Sequence, residues 1–234
     1  MRRIWGVLLC LAVLALPVRA ADAEKYVALT FDDGPSGELT ERLLDGLSAR
    51  GVHATFFVCG YRVAQYPQAL RDIAACGHEI GLHSSNHDYM QNMRYVEVRD
   101  DLTACRKAVS DCCGTEARLF RPPGGLYSEA LLRASADLGL SVVLWSVDPE
   151  DWYAKNAASV LPTIRKEVFP GSVILMHDLH ESSVDAALTA VDELQAQGYR
   201  FCTVSELAEK TGTVLLPGAL YTAFRPVDET EKSR

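Results

Sequence analysis

Seven short runs of β-strand character punctuate the chain, and a helical stretch follows each one. The runs are Tyr26–Phe31, Ala54–Val58, Glu79–Leu82, Arg118–Phe120, Ser141–Trp145, Ser172–Met176 and Tyr199–Val204. The helical stretches run through Leu39, Leu43 and Leu47, from Pro67 to Gly77, from Tyr95 to Val109, from the Ser128 cap to Gly139, onward from the Asn156 cap, and through Ala187, Val191 and Leu194 to Gly198. A short helix from Ser205 ends the series. Strands that are apolar on both faces and alternate with helices form a parallel sheet covered by those helices. Seven such units suit an α/β fold of the (β/α) barrel type, with about seven parallel strands. An open dinucleotide-binding sheet fits less well, because no G-x-G-x-x-G follows a strand. A length of 234 residues suffices for one such domain with a substantial core.

The two ends read differently from the middle. Arg2 and Arg3 precede an apolar stretch from Ile4 to Leu16, then Pro17 and the small-residue site Val18-Arg19-Ala20. Residues 1–20 are therefore expected to be a signal peptide, with the folded domain at 21–212 and a loosely held C-terminal extension at 213–234. The implied location is exported, periplasmic or secreted, with no stable membrane insertion after cleavage, since no other stretch is apolar enough to span. A net charge of -8 lacks the basic stripe of a nucleic-acid binder, so no nucleic-acid partner is expected. Oligomeric state is not readable. Beyond the signal segment lie Cys59, Cys76, Cys105, Cys112, Cys113 and Cys202. An exported chain permits disulfides, and Cys105 with Cys112 or Cys113 is one plausible pairing; no spacing reads as a zinc-cysteine site.

Chemistry-bearing residues cluster where the strands end. Asp32 and Asp33 close the first run, His83 the third, Arg121 the fourth, Asp148 follows the fifth, and His177 ends the sixth. In barrels of parallel strands these ends converge on one rim. His83 and His87 are four apart, a spacing that puts both imidazoles on one face of a helical turn. Ser84 stands where a zinc protease has its Glu, so the base must come from elsewhere. Two histidines with Asp33 leave coordination positions open, as a catalytic metal site requires. Division of labour between the paired acids follows: one binds metal, the other takes a proton from water. Asp148 is expected to orient His177 and keep it protonated. Trp152 and Tyr153 offer apolar surface near the site, with core packing an equal explanation. His53 and His78 read as strand-approach residues.

The segments LTFDDGP (Leu29–Pro35), ATFF (Ala54–Phe57), GHEIGLHSSNH (Gly77–His87), FRPPGG (Phe120–Gly125), WSVDPEDW (Trp145–Trp152) and GSVILMHD (Gly171–Asp178) resemble those of the polysaccharide deacetylase family, carbohydrate esterases with the nodulation-type chitooligosaccharide deacetylase domain. The resemblance implies a distorted barrel with fewer than eight strands. It implies one divalent metal ion, usually zinc, on Asp33, His83 and His87. Asp32 would be the catalytic base held by Arg121, and His177 the acid tuned by Asp148. Trp152 and Leu175 would line the pocket for the acetyl methyl. Gly124 occupies the position of a family Tyr whose backbone N–H helps bind the oxyanion; the N–H survives, and Tyr127 is expected to replace the missing ring. The activity implied is hydrolysis of N-acetyl groups on an acetylated glycan substrate. An O-acetyl xylan-type esterase and a non-catalytic carbohydrate-binding module remain the alternatives.

Overall fold

The computed structural model describes residues 24–154 and 156–225. The expected signal peptide and the end of the chain beyond Arg225 lie outside the described residues. Eight strands form one sheet: β1 Lys25–Asp32, β2 Thr55–Val58, β3 Glu79–Leu82, β4 Leu119–Phe120, β5 Ser141–Val143, β6 Val173–His177, β7 Tyr199–Cys202 and β8 Leu220–Tyr221. The order is β6-β1-β2-β3-β4-β5-β8, all neighbours parallel, with β7 pairing the first half of β1 beside β6. The sheet curls on itself. Just beyond β5, Val147 forms a parallel bridge to Ile174 of β6, and Leu175 N–H donates to the Val147 carbonyl at 3.0 Å. That bridge joins the two sides of the curl into a distorted barrel.

Helices cover the outside: α1 Glu38–Ser48, α2 Gly60–Gln65, α3 Pro67–Ala75, α4 Tyr95–Cys113, α5 Glu129–Asp137, α6 Ala157–Glu167 and α7 Glu181–Ala196. Strand periodicity splits the core in two. Leu29 and Phe31 of β1 pack outward with Leu43, Leu47 and Val191 from the helices. Ala28 packs with Phe57, Leu119, Val143, Val173 and Cys202, the inner set from six strands. The last helix, α8 Val204–Lys210, adds Val204 and Leu207 to that inner set. It is fastened across the N-terminal strand ends by Glu79, which accepts from Ser205 N–H at 3.1 Å and Thr55 Oγ1 at 2.9 Å. The C-terminal strand ends stay open above.

Sequence reading locates all seven expected strands to within two residues, and the Ser128 and Asn156 caps accept from Leu131 N–H and Ser159 N–H. Three features differ from expectation. The six-residue α2 is additional. Cys105, Cys112 and Cys113 share α4, so Cys105 stands roughly 10–12 Å along its axis from either expected partner and no disulfide can join them; among the described residues all six cysteines are free. Finally, the stretch from Thr213 to Arg225 is not loosely held. It supplies β8, and Phe224, 1% exposed, enters the inner core. Gly171 makes this possible: at φ 96° it donates to Tyr26 O and accepts from Phe224 N–H at 2.8 Å, and any Cβ would collide with the Phe224 carbonyl.

If this stretch is integral to the barrel, Phe224→Ala leaves a cavity in the inner core and lowers unfolding free energy by about 3–5 kcal/mol. Denaturant melts followed by circular dichroism measure it; a loss below about 1 kcal/mol would mean the stretch is peripheral.

Candidate active site

Everything at the open end is organised around one buried guanidinium. Arg121, fully buried, follows β4 and points into the barrel. Its Nη1 donates to Asp32 Oδ1 at 2.7 Å and Thr30 Oγ1 at 2.8 Å; Nε donates to Val143 O and Nη2 to Leu144 O. Its flat face lies 4.1 Å from the Phe57 ring centre. A buried cation survives only when its donors are satisfied. Asp32, 2% exposed at the end of β1, is thereby fixed in place.

The Arg121 backbone does a second job. Its carbonyl lies 2.6 Å from His83 Nδ1. A carbonyl can only accept, so Nδ1 carries the hydrogen, and the neutral form of His83 has its lone pair on Nε2, the nitrogen that faces Asp33. That Nε2 lies 3.2 Å from Asp33 Oδ1, and His87 Nε2 lies 3.1 Å from the same oxygen. One ligand atom each from Asp33, His83 and His87 falls within 4.8 Å of the others. Asp33 Oδ1 is buried with no hydrogen-bond partner. Burial alone would raise the Asp33 pKa, but the His83 and His87 rings outweigh it and hold the carboxyl far below the usual carboxylate range. An ionised oxygen and an imidazole lone pair facing each other call for a cation between them. The set fits a divalent metal ion, with nitrogen and oxygen donors and an open side toward the cleft.

The expected helical turn at His83–His87 is absent. The segment is a loop in which Ser84 and His87 have φ of 66° and 61°, and Asp33 across the site has φ of 71°. Left-handed backbone at such residues is costly and persists only where surroundings enforce it. Here they do: Ser84 O and Ser85 O accept from Gly60 and Tyr61 N–H, and Ser85 N–H donates to Asp101. The two imidazoles are aimed by strained backbone rather than by helical spacing.

His177 ends β6, in register with Asp32. Its partner is Asp151, not Asp148. Nδ1 lies 2.8 Å from Asp151 Oδ1, and the His177 N–H donates to Oδ2 at 2.9 Å. Asp148 instead lines the cleft and accepts from Glu150 N–H, shaping a turn with Glu150 at φ 53° that swings Asp151 inward to full burial. Burial opposes the His177 cation, but the Asp151 carboxylate, reinforced by Asp32 and Asp33, pushes its pKa up to about 9. Asp178, also unassigned by sequence, accepts from Thr40 Oγ1 while its carbonyl accepts from Ser36 Oγ, tethering the turn after Asp33.

A cleft of about 360 Å³ opens over these groups, lined by Asp32, Asp33, His83, His87 and His177 together with Tyr89, Gly124, Trp145, Asp148, Trp152 and Leu175. Tyr127 is outside that lining and half exposed. The ring beside Gly124 is Tyr89, which no sequence signal singled out. His53 and His78 lie far from the cleft; His78 Nδ1 accepts from Ala54 N–H, and burial pulls its pKa down to about 4.

Comparison with known proteins shows the family. The family model described as polysaccharide deacetylase matches residues 19–143. The chain belongs to that family. A peptidoglycan-N-acetylglucosamine deacetylase, PgdA, of Listeria monocytogenes is 37% identical over 190 residues, covering 81% of this chain and 40% of the relative. The chain thus spans about two fifths of that protein's length. The peptidoglycan deacetylase PdaC of Bacillus subtilis superposes with a TM-score of 0.77 at 35% identity, covering 81% of this chain and 92% of that one. A family 4 acetyl xylan esterase from Clostridium thermocellum, solved in complex with a cobalt ion, superposes with a TM-score of 0.79 at 32% identity, covering 85% and 98%.

The His177–Asp151 pair has a pH signature in the metal-free protein. The folded pKa of about 9 exceeds the unfolded 6.5, so the pair's stabilisation is complete below pH 6.5 and lost as pH rises through 9. At 1.36 kcal/mol per unit, it is on the order of 3 kcal/mol. Thermal melts of wild type should decline across that window, and Asp151→Asn should abolish this component. An identical decline in the variant would assign the slope to other groups.

Proposed function

We propose that the protein is a metal-dependent deacetylase that removes N-acetyl groups from a peptidoglycan- or chitin-like glycan and releases acetate. The observation that carries this reading is the placement of Asp32. A carboxylate held by buried Arg121 has its second oxygen 3.8 Å from His83 Nε2, beside the Asp33–His83–His87 set but not part of it. A structural metal site has no use for such an acid.

Asp33, His83 and His87 would hold the cation, for which zinc is our assignment. When bound, it supplies a Lewis acid for the acetyl oxygen and lowers the pKa of water nearby. The chain's own residues do the rest. Asp32 accepts the proton of the attacking water, and Arg121 keeps that carboxylate oriented. The N–H of Gly124, on the cleft wall, donates to the acetyl oxygen as it gains charge. His177, held as a cation by Asp151, gives its proton to the departing amine. Leu175 and Trp152 enclose the methyl group. Asp148 acts through the turn that presents Asp151.

The names of the Listeria and Bacillus relatives support an N-acetylated wall glycan. The acetyl xylan esterase supports a second reading, an O-acetyl ester processed by the same residues with an easier leaving group. Residues 1–20, read as a signal peptide, fit an exported enzyme acting outside the cytoplasm.

Acetate release from N-acetylglucosamine oligomers, peptidoglycan and acetylated xylan tests the assignment. Release from an N-acetylated substrate, abolished by chelator and restored by zinc, is expected; release only from xylan would transfer the assignment to the esterase. Asp32→Asn should retain bound metal yet lose about 10²–10⁴-fold in rate. His87→Ala should lose metal by elemental analysis, and undiminished metal content would remove His87 from the ligand set.

A further inference from the structure

Gly124 leaves room for a ring that belongs to a different loop. A Cβ at Gly124 would lie 2.7 Å from Tyr89 Cε1 and 3.4 Å from Cδ1. The Tyr89 ring therefore packs onto the bare α-carbon of Gly124, and no side chain fits between them. Tyr89 also meets His87 edge-on, ring centres 6.0 Å apart. Its backbone is anchored on both sides, by His87 at φ 61° and by the fully buried Met90. Yet Tyr89 is 60% exposed and lines the cleft. A ring that meets Gly124 through Cε1, Cδ1 and Cζ and still leaves most of its surface exposed at the cleft is poorly explained as packing. Trp152, 58% exposed, also lines the cleft as a second exposed aromatic ring.

We propose that Tyr89, admitted by Gly124, is a specificity-determining residue that stacks on a pyranose ring of the glycan. Pyranoses present an apolar C–H face that matches an aromatic surface, and a ring fixed before binding loses little entropy. The contact is with sugar rather than with reacting atoms, so Tyr89 serves binding, and the ring face rather than the hydroxyl is the working part. The inference rests on the deacetylase reading for its substrate class, and its test includes a readout that needs no turnover.

Two measurements decide it. The first is binding of N-acetylglucosamine tetramer to zinc-loaded Asp32→Asn protein, with and without Tyr89→Ala, by titration calorimetry. The second is acetate release from the tetramer by wild type, Tyr89→Ala and Tyr89→Phe. Tyr89→Ala should weaken tetramer binding about 3–10-fold and change KM more than kcat. Tyr89→Phe should restore both. Gly124→Ala should weaken binding through displacement of the ring, and less so when Tyr89 is already alanine. The proposal is overturned if Tyr89→Ala leaves binding unaltered, if kcat falls while KM holds, if Phe fails to rescue, or if the tetramer does not bind at all. Ring-dependent binding without acetate release would sink the deacetylase reading and leave the platform standing; acetate release indifferent to Tyr89 would do the reverse.

Discussion

A guanidinium inside a barrel of parallel strands is the constraint on which this molecule turns. Removing Arg121 from water is costly, and the cost is offset only because carboxylate, hydroxyl and two carbonyls meet its donors while Phe57 covers its face. Those partners come from β1 and the end of β5, so a single side chain ties three regions of the barrel together. Its backbone carbonyl then selects the His83 tautomer. One residue thus orients the Asp32 carboxylate and sets the imidazole that faces Asp33. Replacing it by lysine would keep the charge but forfeit the planar fork that reaches four acceptors.

Electrostatic roles at the site are divided by geometry more than by residue type. Three aspartates stand within one cleft region with different neighbours. Asp32 faces a permanent cation, Asp33 faces two imidazoles, and Asp151 faces one imidazole that it keeps protonated. The result sets three carboxylates in three different charge environments a short distance apart. Left-handed backbone at Asp33, Ser84 and His87 fits the same picture, since strain is tolerated where α2 and α4 pin the loop.

Much of this was readable from the chain. Strands apolar on both faces announced a covered parallel sheet, and polar residues at strand ends converged as that topology requires. What escaped reading depends on three-dimensional choices. Asp148 and Asp151 are three residues apart, and only the turn at Glu150 decides which one reaches His177. The spacing of His83 and His87 is equally compatible with helix and loop. The two-residue β8 has too little pattern of its own; it exists because β5 offers an edge and Phe224 an anchor. Tyr89 carried no motif, and its proximity to Gly124 emerges only when the loops after β3 and β4 are brought side by side.

The curl is closed between the end of β5 and β6 by a short ladder in which Ser146 and Val147 N–H donate to Val173 O and Leu175 N–H donates to Val147 O, and the segment after it leads directly to Asp148, Asp151 and Trp152. The seam fixes where that segment starts, and Asp151, fully buried against His177, fixes where it must return; the exposed Trp152 and Tyr153 lie just beyond both anchors, where a longer loop adds only a small closure entropy. A change confined to that exposed stretch would reshape the cleft wall while the buried Asp151–His177 pair stays in place.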